Sequence, residues 1–175
     1  LEPLLRSTGA ETIVTLSGLY ERVREVQGQT AIRRIILTDI PEMVGWPWRG
    51  LVAKQARTAG MLAELPANAP VLWLNQLIAT APAQAPDAPI DPAVDTAIFQ
   101  FTGGTSGLPK AAELTHRNMI ANVEQIRAWV PSLQAGREKL LLALPAFHVY
   151  GMTVGMLICV RMAGELVQAL DPRNT

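Results

Sequence analysis

The stretch "FTGGTSGLPKAAELTH", residues 101–116, is the most informative part of the sequence. Its first half combines three glycines, three hydroxyl side chains and one lysine, between a strand-like run (residues 97–101) and a helix-like run that Thr115 can cap. Glycines let the backbone approach a ligand closely, and successive free amide groups form a concavity that suits an anion. With the hydroxyl donors and one positive charge, the segment suits the phosphates of a nucleotide. The residues concerned are Thr102, Gly103, Gly104, Thr105, Ser106, Gly107 and Lys110.

Three better-known glycine-rich motifs do not fit this stretch. A Walker A loop has a lysine directly after its last glycine, whereas here Leu108 and Pro109 separate Gly107 from Lys110. The glycine spacing does not give the dinucleotide fingerprint G-x-G-x-x-G, and Leu108 stands where a nucleophile elbow G-x-S-x-G needs its last glycine. On composition alone, a surface turn with a solvated lysine is the alternative.

Composition bounds the class of protein. The chain has 175 residues, 49% of them hydrophobic and 17% charged, which is typical of a globular domain with a real core. Lysine plus arginine balances aspartate plus glutamate at 15 each, so no basic excess points to nucleic acid. Cys159 is the only cysteine, which favours a cytoplasmic location. Because the chain begins at Leu1 and stops at Thr175 just after a strand-like run, we expect a piece of a longer protein.

The pattern outside the glycine-rich stretch predicts an α/β fold with a mostly parallel sheet and flanking helices. β-branched runs at residues 12–16 and 34–38 enclose a helix-like run, which indicates a βαβ unit. Prolines interrupt residues 79–95, which we expect to form an extended connector. We divide the chain into a βαβ unit (1–40), a helical segment with the proline-rich connector (41–95), and a phosphate-loop unit (96–175).

Downstream of the glycine-rich stretch the sequence predicts alternating strands and helices. Pro131 ends a helix whose apolar stripe comprises Met119, Ile120, Val123, Ile126 and Val130. Residues 139–144 read as a buried strand, 149–163 as an apolar helix and 165–170 as a further strand. The apolar stretch 140–160 has the length of a membrane span, but Pro145 and His148 interrupt it, so we expect a strand, a turn and a helix.

Residues 41–80 have two interpretations. The stretch mixes tryptophans with basic residues, from Trp46 to Arg57, which is compatible with a surface helix that carries a solvated basic face. The alternative is a helix that lies on an anionic membrane surface. The run at residues 71–78 is apolar and fits either a helix or a strand.

The ordered string "FTGGTSGLPK" followed by "LTHRNMIAN" resembles the phosphate-binding signature of the adenylate-forming (AMP-binding) superfamily, [YF]-T-[SG]-G-[TS]-[TS]-G-x-P-K-G. A second block, "LPAFHVYGMTVGML" (residues 144–157), is similar to the superfamily's LP-x-[FY]-H-x-x-G segment. The double glycine and the "LTHRN" continuation look most like long-chain fatty acid–CoA ligases, and "LLRSTGAETIVTL" is similar to the stretch that precedes the signature in them. The resemblance implies part of the large N-terminal domain of that fold, without the rest of that domain or the small C-terminal domain.

The resemblance also implies an activity, an ATP-dependent acid–thiol ligase that forms an acyl-adenylate and transfers it to coenzyme A. It assigns the seven residues named above to the ATP phosphates and His148 to orientation of the substrate or adenylate. ATP, Mg²⁺ and coenzyme A would be needed by the full-length enzyme, although two distant histidines and one cysteine predict no metal site in this chain. Two residues depart from the signature: Ala111 replaces a glycine, and Ser106 replaces the commoner threonine.

Other functions stay open at this point. The chain could come from another adenylating enzyme, such as an aryl-CoA or acyl-AMP ligase, or from a non-catalytic nucleotide-binding module. Because the superfamily's later motifs are missing, we expect the piece alone to be inactive. The expected partners are small molecules (fatty acid, ATP and coenzyme A) and no nucleic acid, with peripheral contact to a membrane and self-association of the isolated piece.

Overall fold

The computed structural model describes residues 1–66, 68–102 and 110–169. The chain divides into two compact units, the first built mainly from Leu1–Asp87 and the second from Ala88–Gly104 and Lys110–Thr175. In chain order the helices and strands are α1 (Glu2–Thr8), β1 (Thr12–Leu16), α2 (Tyr20–Gln27), β2 (Arg34–Thr38), α3 (Arg49–Thr58), β3 (Leu72–Trp73), α4 (Leu74–Thr80), β4 (Thr96–Thr102), β5 (Lys110–Thr115), α5 (His116–Trp129), β6 (Lys139–Leu142), α6 (Ile158–Arg161) and β7 (Glu165–Gln168). Two 3-10 turns (Ser17–Leu19 and Ile40–Met43) and a π-helix (Gly151–Leu157) accompany them.

The first unit contains a parallel sheet in the order β1-β2-β3. The β1–α2–β2 arrangement confirms the predicted βαβ unit. Leu37 and Ile35 of β2 are almost fully buried, and α2 covers them with Tyr20 and Val23. The apolar run at residues 71–78 forms both of the elements considered for it, since the two-residue strand β3 leads directly into α4.

A buried hydroxyl group fixes the carboxyl ends of β1 and β2. Ser17 is fully buried, and its Oγ donates a hydrogen bond to Oδ1 of Asp39 at 2.7 Å. Ser17 Oγ also accepts a hydrogen bond from the backbone amide of Ala63 at 3.1 Å. Because buried polar groups are costly unless they are paired, this node ties the loop after α3 to the end of the sheet.

The second unit contains two two-stranded sheets. β4 and β5 are antiparallel, whereas β6 and β7 are parallel. The glycine-rich stretch therefore connects two antiparallel strands and does not lead directly into a helix, which corrects the sequence prediction. The α/β fold with a mostly parallel sheet is confirmed, since the other described strand pairs are all parallel.

The helix predicted after Thr115 is present as α5. Thr115 accepts a hydrogen bond from the amide of Asn118, whose side chain in turn accepts from the amide of Thr115, so the two residues form a reciprocal cap. Val123 is buried with Met119, but Ile120 is 60% exposed and does not belong to the core stripe. The helical periodicity therefore predicted the helix correctly, but it assigned too many residues to the buried face.

The stretch at residues 149–161 is helical, as predicted, but most of it is a π-helix. Two glycines allow this helix to pack closely, since a Cβ on Gly155 would meet Leu142 Cδ1 at 2.6 Å and one on Gly151 would meet the Pro145 carbonyl oxygen at 2.4 Å. Strand β6 ends at Leu142, two residues before the predicted end. It is also less buried than predicted, since Leu141 is 69% exposed and only Leu142 is buried. Within the three described ranges, no helix is long and apolar enough to cross a membrane.

The part of the chain around the boundary of the two units, at Asp87 and Ala88, has little regular structure. Residues 81–95 contain neither helix nor strand and are exposed, whereas residues 79 and 80 of the predicted connector (79–95) belong to α4. Within residues 41–66, the helix is confined to α3.

Candidate functional site

The glycine-rich segment is closed at its base by a pair of opposed residues. Thr102, the last residue of β4, lies directly opposite Lys110, the first residue of β5. Residues opposite each other in an antiparallel pair project their side chains on the same face of the sheet. The Thr102 hydroxyl is 3.4 Å from the Lys110 carbonyl oxygen, to which it donates a long hydrogen bond. The structure therefore brings these two predicted site residues together, on one face.

The other five predicted phosphate contacts lie outside the described residues. They are Gly103, Gly104, Thr105, Ser106 and Gly107. What is described is the frame, with a hydroxyl donor and an exposed lysine at the two ends of the seven residues between β4 and β5. Lysine supplies a compact positive charge on a flexible stem, and the hydroxyl adds a donor beside it, so the frame is suited to an oxyanion.

His148 lies in the turn that follows the carboxyl end of β6. Its backbone amide donates to the Pro145 carbonyl at 3.0 Å, and its carbonyl accepts from the amide of Met152 at 2.8 Å. His148 is exposed and does not belong to the core. Ligands of α/β proteins bind beyond the carboxyl ends of parallel strands, and this is where the histidine stands. Among the described contacts, no hydrogen bond joins His148 to Thr102 or Lys110.

An apolar groove runs between α5 and the π-helix. Its volume is about 630 Å³, and its walls are mostly apolar, with three amide side chains from α5. The lining residues are Leu114, Asn118, Met119, Ala121, Asn122, Gln125, Ile126, Val149, Tyr150, Thr153 and Val154. Sequence reasoning missed the groove, because periodicity assigns Met119 and Ile126 to a core and cannot distinguish a core stripe from a groove wall. The position of Val149 and Tyr150 immediately after His148 was the available signal.

One carboxyl group with a lowered pKa, that of Glu124, has a structural role. Glu124 of α5 accepts a hydrogen bond from Nε of Arg161 at 2.6 Å and pairs with Arg127 at 2.9 Å. The hydrogen bond from Arg161 is the main cause that lowers the pKa of Glu124, and the charges of Arg127 and Arg161 act in the same direction. The group joins α5 to α6 and does not line the groove.

The described residues offer no candidate metal centre. No group of three or more histidine, cysteine, aspartate or glutamate side chains is placed to hold an ion in residues 1–66, 68–102 and 110–169.

Comparison with known proteins gives the relatives of this chain. A long-chain-fatty-acid–CoA ligase of Bacillus subtilis (strain 168) is 29% identical over 178 residues, which cover 100% of this chain and 32% of that protein. One of Yersinia pestis is 32% identical over 181 residues, covering 99% of this chain and 31% of that protein. The chain thus spans about a third of the length of the curated relatives it matches.

Solved structures agree on the fold. The crystal structure of a long-chain-fatty-acid-CoA ligase (FadD1) from Archaeoglobus fulgidus superposes with a TM-score of 0.68 at 20% identity, over 99% of this chain and 28% of that one. The family model described as AMP-binding enzyme matches residues 1–173, which include the signature stretch, the β4–β5 frame and the turn with His148. A match over almost the whole length shows that the chain belongs to the AMP-binding enzyme family.

Proposed function

We propose that this chain is the phosphate-binding part of a long-chain fatty acid–CoA ligase that uses ATP. The observation that carries the proposal is the Thr102–Lys110 pair, which closes the family's phosphate-binding signature at the end of a β-hairpin. Curated relatives that match the whole chain at about 30% identity carry the name of this ligase, which supports the choice of substrate class.

The proposed reaction has two steps. A carboxylate oxygen of the fatty acid attacks the α-phosphorus of ATP, the bond to the bridging oxygen breaks, and pyrophosphate leaves. The thiol of coenzyme A then attacks the acyl carbonyl carbon, the bond to the adenylate oxygen breaks, AMP leaves, and the thiol proton passes to solvent. The first step is necessary because a free carboxylate has no good leaving group.

The proposed role of the glycine-rich segment is electrostatic. Lys110, Thr102, Thr105 and Ser106 would contact the β- and γ-phosphates, and Gly103, Gly104 and Gly107 would let the backbone approach them. Negative charge moves onto pyrophosphate as the bond breaks, so fixed donors at this place stabilise the transition state more than the ground state. The hairpin supports this role because it holds the lysine and the hydroxyl of Thr102 on one face of the sheet.

His148 and the apolar groove are the proposed means of holding the acid. The exposed imidazole would orient the carboxylate or the adenylate, because it stands in a turn that two backbone hydrogen bonds fix. The groove begins with the residues directly after it and has mostly apolar walls, which suits an acyl chain. An acid with a long hydrocarbon chain fits this combination better than a small polar acid.

Magnesium and coenzyme A are also part of the proposal. Magnesium is usually held by one or two carboxylates together with substrate phosphates. Because the described residues offer no metal-binding cluster, we propose that the ion enters with ATP and is held mainly by groups other than those described here. We further propose a cytoplasmic protein that contacts membranes peripherally and, as an isolated piece, self-associates through its exposed apolar side chains.

The test is exchange of labelled pyrophosphate into ATP by the full-length gene product, with fatty and aromatic acids as substrates. We expect exchange with fatty acids and a loss of about a hundredfold in Lys110→Ala, the usual cost of removing one transition-state donor. The matched control is Lys139→Ala, which removes an exposed lysine of the same unit that pairs with Glu165 at 2.9 Å. The 175-residue chain alone should form no acyl-CoA.

Three results would contradict the proposal. Absence of exchange with every acid would leave only a nucleotide-binding module. Exchange with aromatic acids alone would favour an aryl-CoA ligase. Equal activity of the Lys110→Ala and Lys139→Ala variants would show that the hairpin frame does not act on the phosphates.

A further inference from the structure

The segment from Trp46 to Arg57 exposes large apolar side chains that globular proteins usually cover. Trp46 is 92% exposed, Trp48 63% and Leu51 61%. These three residues lie within six positions of one another, and the 3-10 turn before them adds Met43, which is 66% exposed. We call residues 43–57 the tryptophan–arginine segment.

The charge of this segment has a single sign. Arg49, Lys54 and Arg57 are its ionisable residues, and the sequence has no acidic residue between Glu42 and Glu64. None of the three cations takes part in an ion pair among the described residues. The whole chain has 15 basic and 15 acidic residues and no net charge, so the other residues carry 12 basic against 15 acidic side chains and the segment is a local exception.

Helix α3 separates an inner from an outer face. Ala56 is buried and Val52 and Ala53 are half-buried, so this side packs against the protein. At 100° per residue, Leu51 and Lys54 lie on the opposite side, and both are exposed. Leu51 and Lys54 are therefore presented together on the side of α3 opposite Ala56, while Arg49 and Arg57 are exposed near the two ends of the helix.

We propose that the tryptophan–arginine segment lies on the surface of an anionic lipid bilayer. Indole rings favour the boundary between headgroups and hydrocarbon, where one edge is apolar and the NH group finds a polar partner. The stems of arginine and lysine cover apolar surface while their charges reach the headgroup phosphates. The inference rests on the proposed function in one respect: a long-chain acid partitions into bilayers, so an enzyme that uses it would find its substrate there.

Charge also argues against another protein surface as the occupant. A symmetric contact between two copies of the segment would place its three cations near the same three cations. An anionic bilayer surface instead attracts each of the three cations. Trp129 is 89% exposed as well, but the charges near it in α5 have both signs, since Glu124 pairs with Arg127. It therefore differs from Trp46 and Trp48, whose segment carries cations alone.

The experiment is co-sedimentation of the full-length gene product with vesicles of phosphatidylcholine, alone or mixed with phosphatidylglycerol, without ATP or fatty acid. Each cation near an anionic surface raises partitioning roughly fivefold, so we expect preference for the anionic vesicles on the order of a hundredfold for three. The variant Arg49→Gln, Lys54→Gln, Arg57→Gln should lose that preference. Its control, Arg22→Gln, Arg33→Gln, Arg137→Gln, removes the same charge from exposed positions elsewhere and should keep it.

The tryptophans are tested separately. Replacing Trp46 and Trp48 by serine should lower binding to both kinds of vesicle about tenfold or more, because burial of the indole rings is lost. Trp129→Ser is the control and should bind as the unaltered protein does. All the substituted side chains are exposed, so we expect each variant to fold. Circular dichroism checks this for each of them.

Several outcomes would overturn the proposal. One is equal binding to the two vesicle types, or no binding to either. Another is an equal loss in the charge control. A third is that the Trp46 and Trp48 variant dissociates an oligomer while the unaltered protein ignores vesicles, which would assign the segment to a second copy. The vesicle assay contains no substrate, so its result is independent of pyrophosphate exchange. Loss of vesicle binding with normal exchange would refute only the membrane proposal, and vesicle binding without exchange would refute only the proposed function.

Discussion

Replacing Gly151 by alanine is expected to destabilise the second unit and to displace the turn that carries His148. Gly151 is buried at the start of the π-helix, and an added Cβ would lie 2.4 Å from the carbonyl oxygen of Pro145. That oxygen accepts the backbone hydrogen bond of His148 at 3.0 Å. The perturbation therefore acts on the hydrogen bond that positions the predicted catalytic side chain.

The magnitude follows from the geometry. Real Cβ atoms stay at least 3.0 Å from such an atom, so the two groups must separate by 0.6 Å or more (3.0 − 2.4). Both are held by backbone, so the cost falls at the upper end of the overpacking range, about 3 kcal/mol. Alanine offsets up to about 1 kcal/mol by restricting the unfolded chain. We expect a net loss of about 2 kcal/mol, or a fall in Tm of roughly 4–8 °C for a chain of this size.

The assay is thermal and urea unfolding followed by circular dichroism, with Gly50→Ala as the matched control. Gly50 also lies near the start of a helix, but a Cβ there meets nothing within 4 Å. That substitution should stabilise the protein by about 0.4–1 kcal/mol. In the full-length gene product, Gly151→Ala should also reduce pyrophosphate exchange by more than its loss of folded protein explains.

The reasoning fails if Gly151→Ala unfolds at the same temperature as the unaltered protein while Gly50→Ala raises Tm as expected. Such a result would mean that the π-helix does not pack directly on the backbone at Pro145. A stability loss with unchanged exchange per folded molecule would separate the packing argument, which would stand, from the role given to His148, which would not.

Three further predictions concern side chains outside the ligand frame. Ser17→Ala should cost about 1–3 kcal/mol in urea unfolding, because the carboxylate of Asp39 loses a buried donor; an unchanged midpoint would show that the node is dispensable. Thr115→Ala should lower the free energy of unfolding by about 1 kcal/mol through loss of the helix cap, and a serine at that position should restore most of it. Arg161 lowers the pKa of Glu124, so the folded form favours the ionised carboxylate, and its stabilising effect is present above the ordinary glutamate pKa and is lost as pH falls through the lowered folded value. Glu124→Gln should therefore reduce Tm at neutral pH and should approach the unaltered protein in acid; a difference that is independent of pH would contradict this.

The fold class was accessible from the sequence because local pattern and tertiary structure agree there. β1, α2 and β2 each show their own period, and their order allows only a parallel pairing with a helical crossover. Thr115 likewise announced the start of α5, since capping depends on a few neighbouring residues.

Strand β5 could not be found in this way. Its sequence, "KAAELT", contains alanine and glutamate, which are uncommon in strands, and it becomes a strand through its pairing with β4. The exposure of Ile120 and the π-helix were missed for a related reason. Each depends on how a helix meets its neighbours, which a period of 3.6 residues does not encode. Thr102 and Lys110 were named from the sequence, but their pairing across a hairpin came only from the structure.

The hairpin at the base of the phosphate segment has a consequence for how this part of the chain can vary. Because Thr102 and Lys110 form a rung of the β-ladder, folding itself brings together the two ends of the seven residues between them. Doubling the length of such a connection changes its closure entropy by only about 0.6 kcal/mol. Insertions here should therefore leave the free energy of folding almost unchanged, whereas under the proposed function they would change the sequence spacing of the groups that contact the phosphates. Under the proposed function, tolerance of folding to a change in length and recognition of the ligand are decoupled in this segment, so selection on chemistry would remove such variation and selection on folding would hardly act on it.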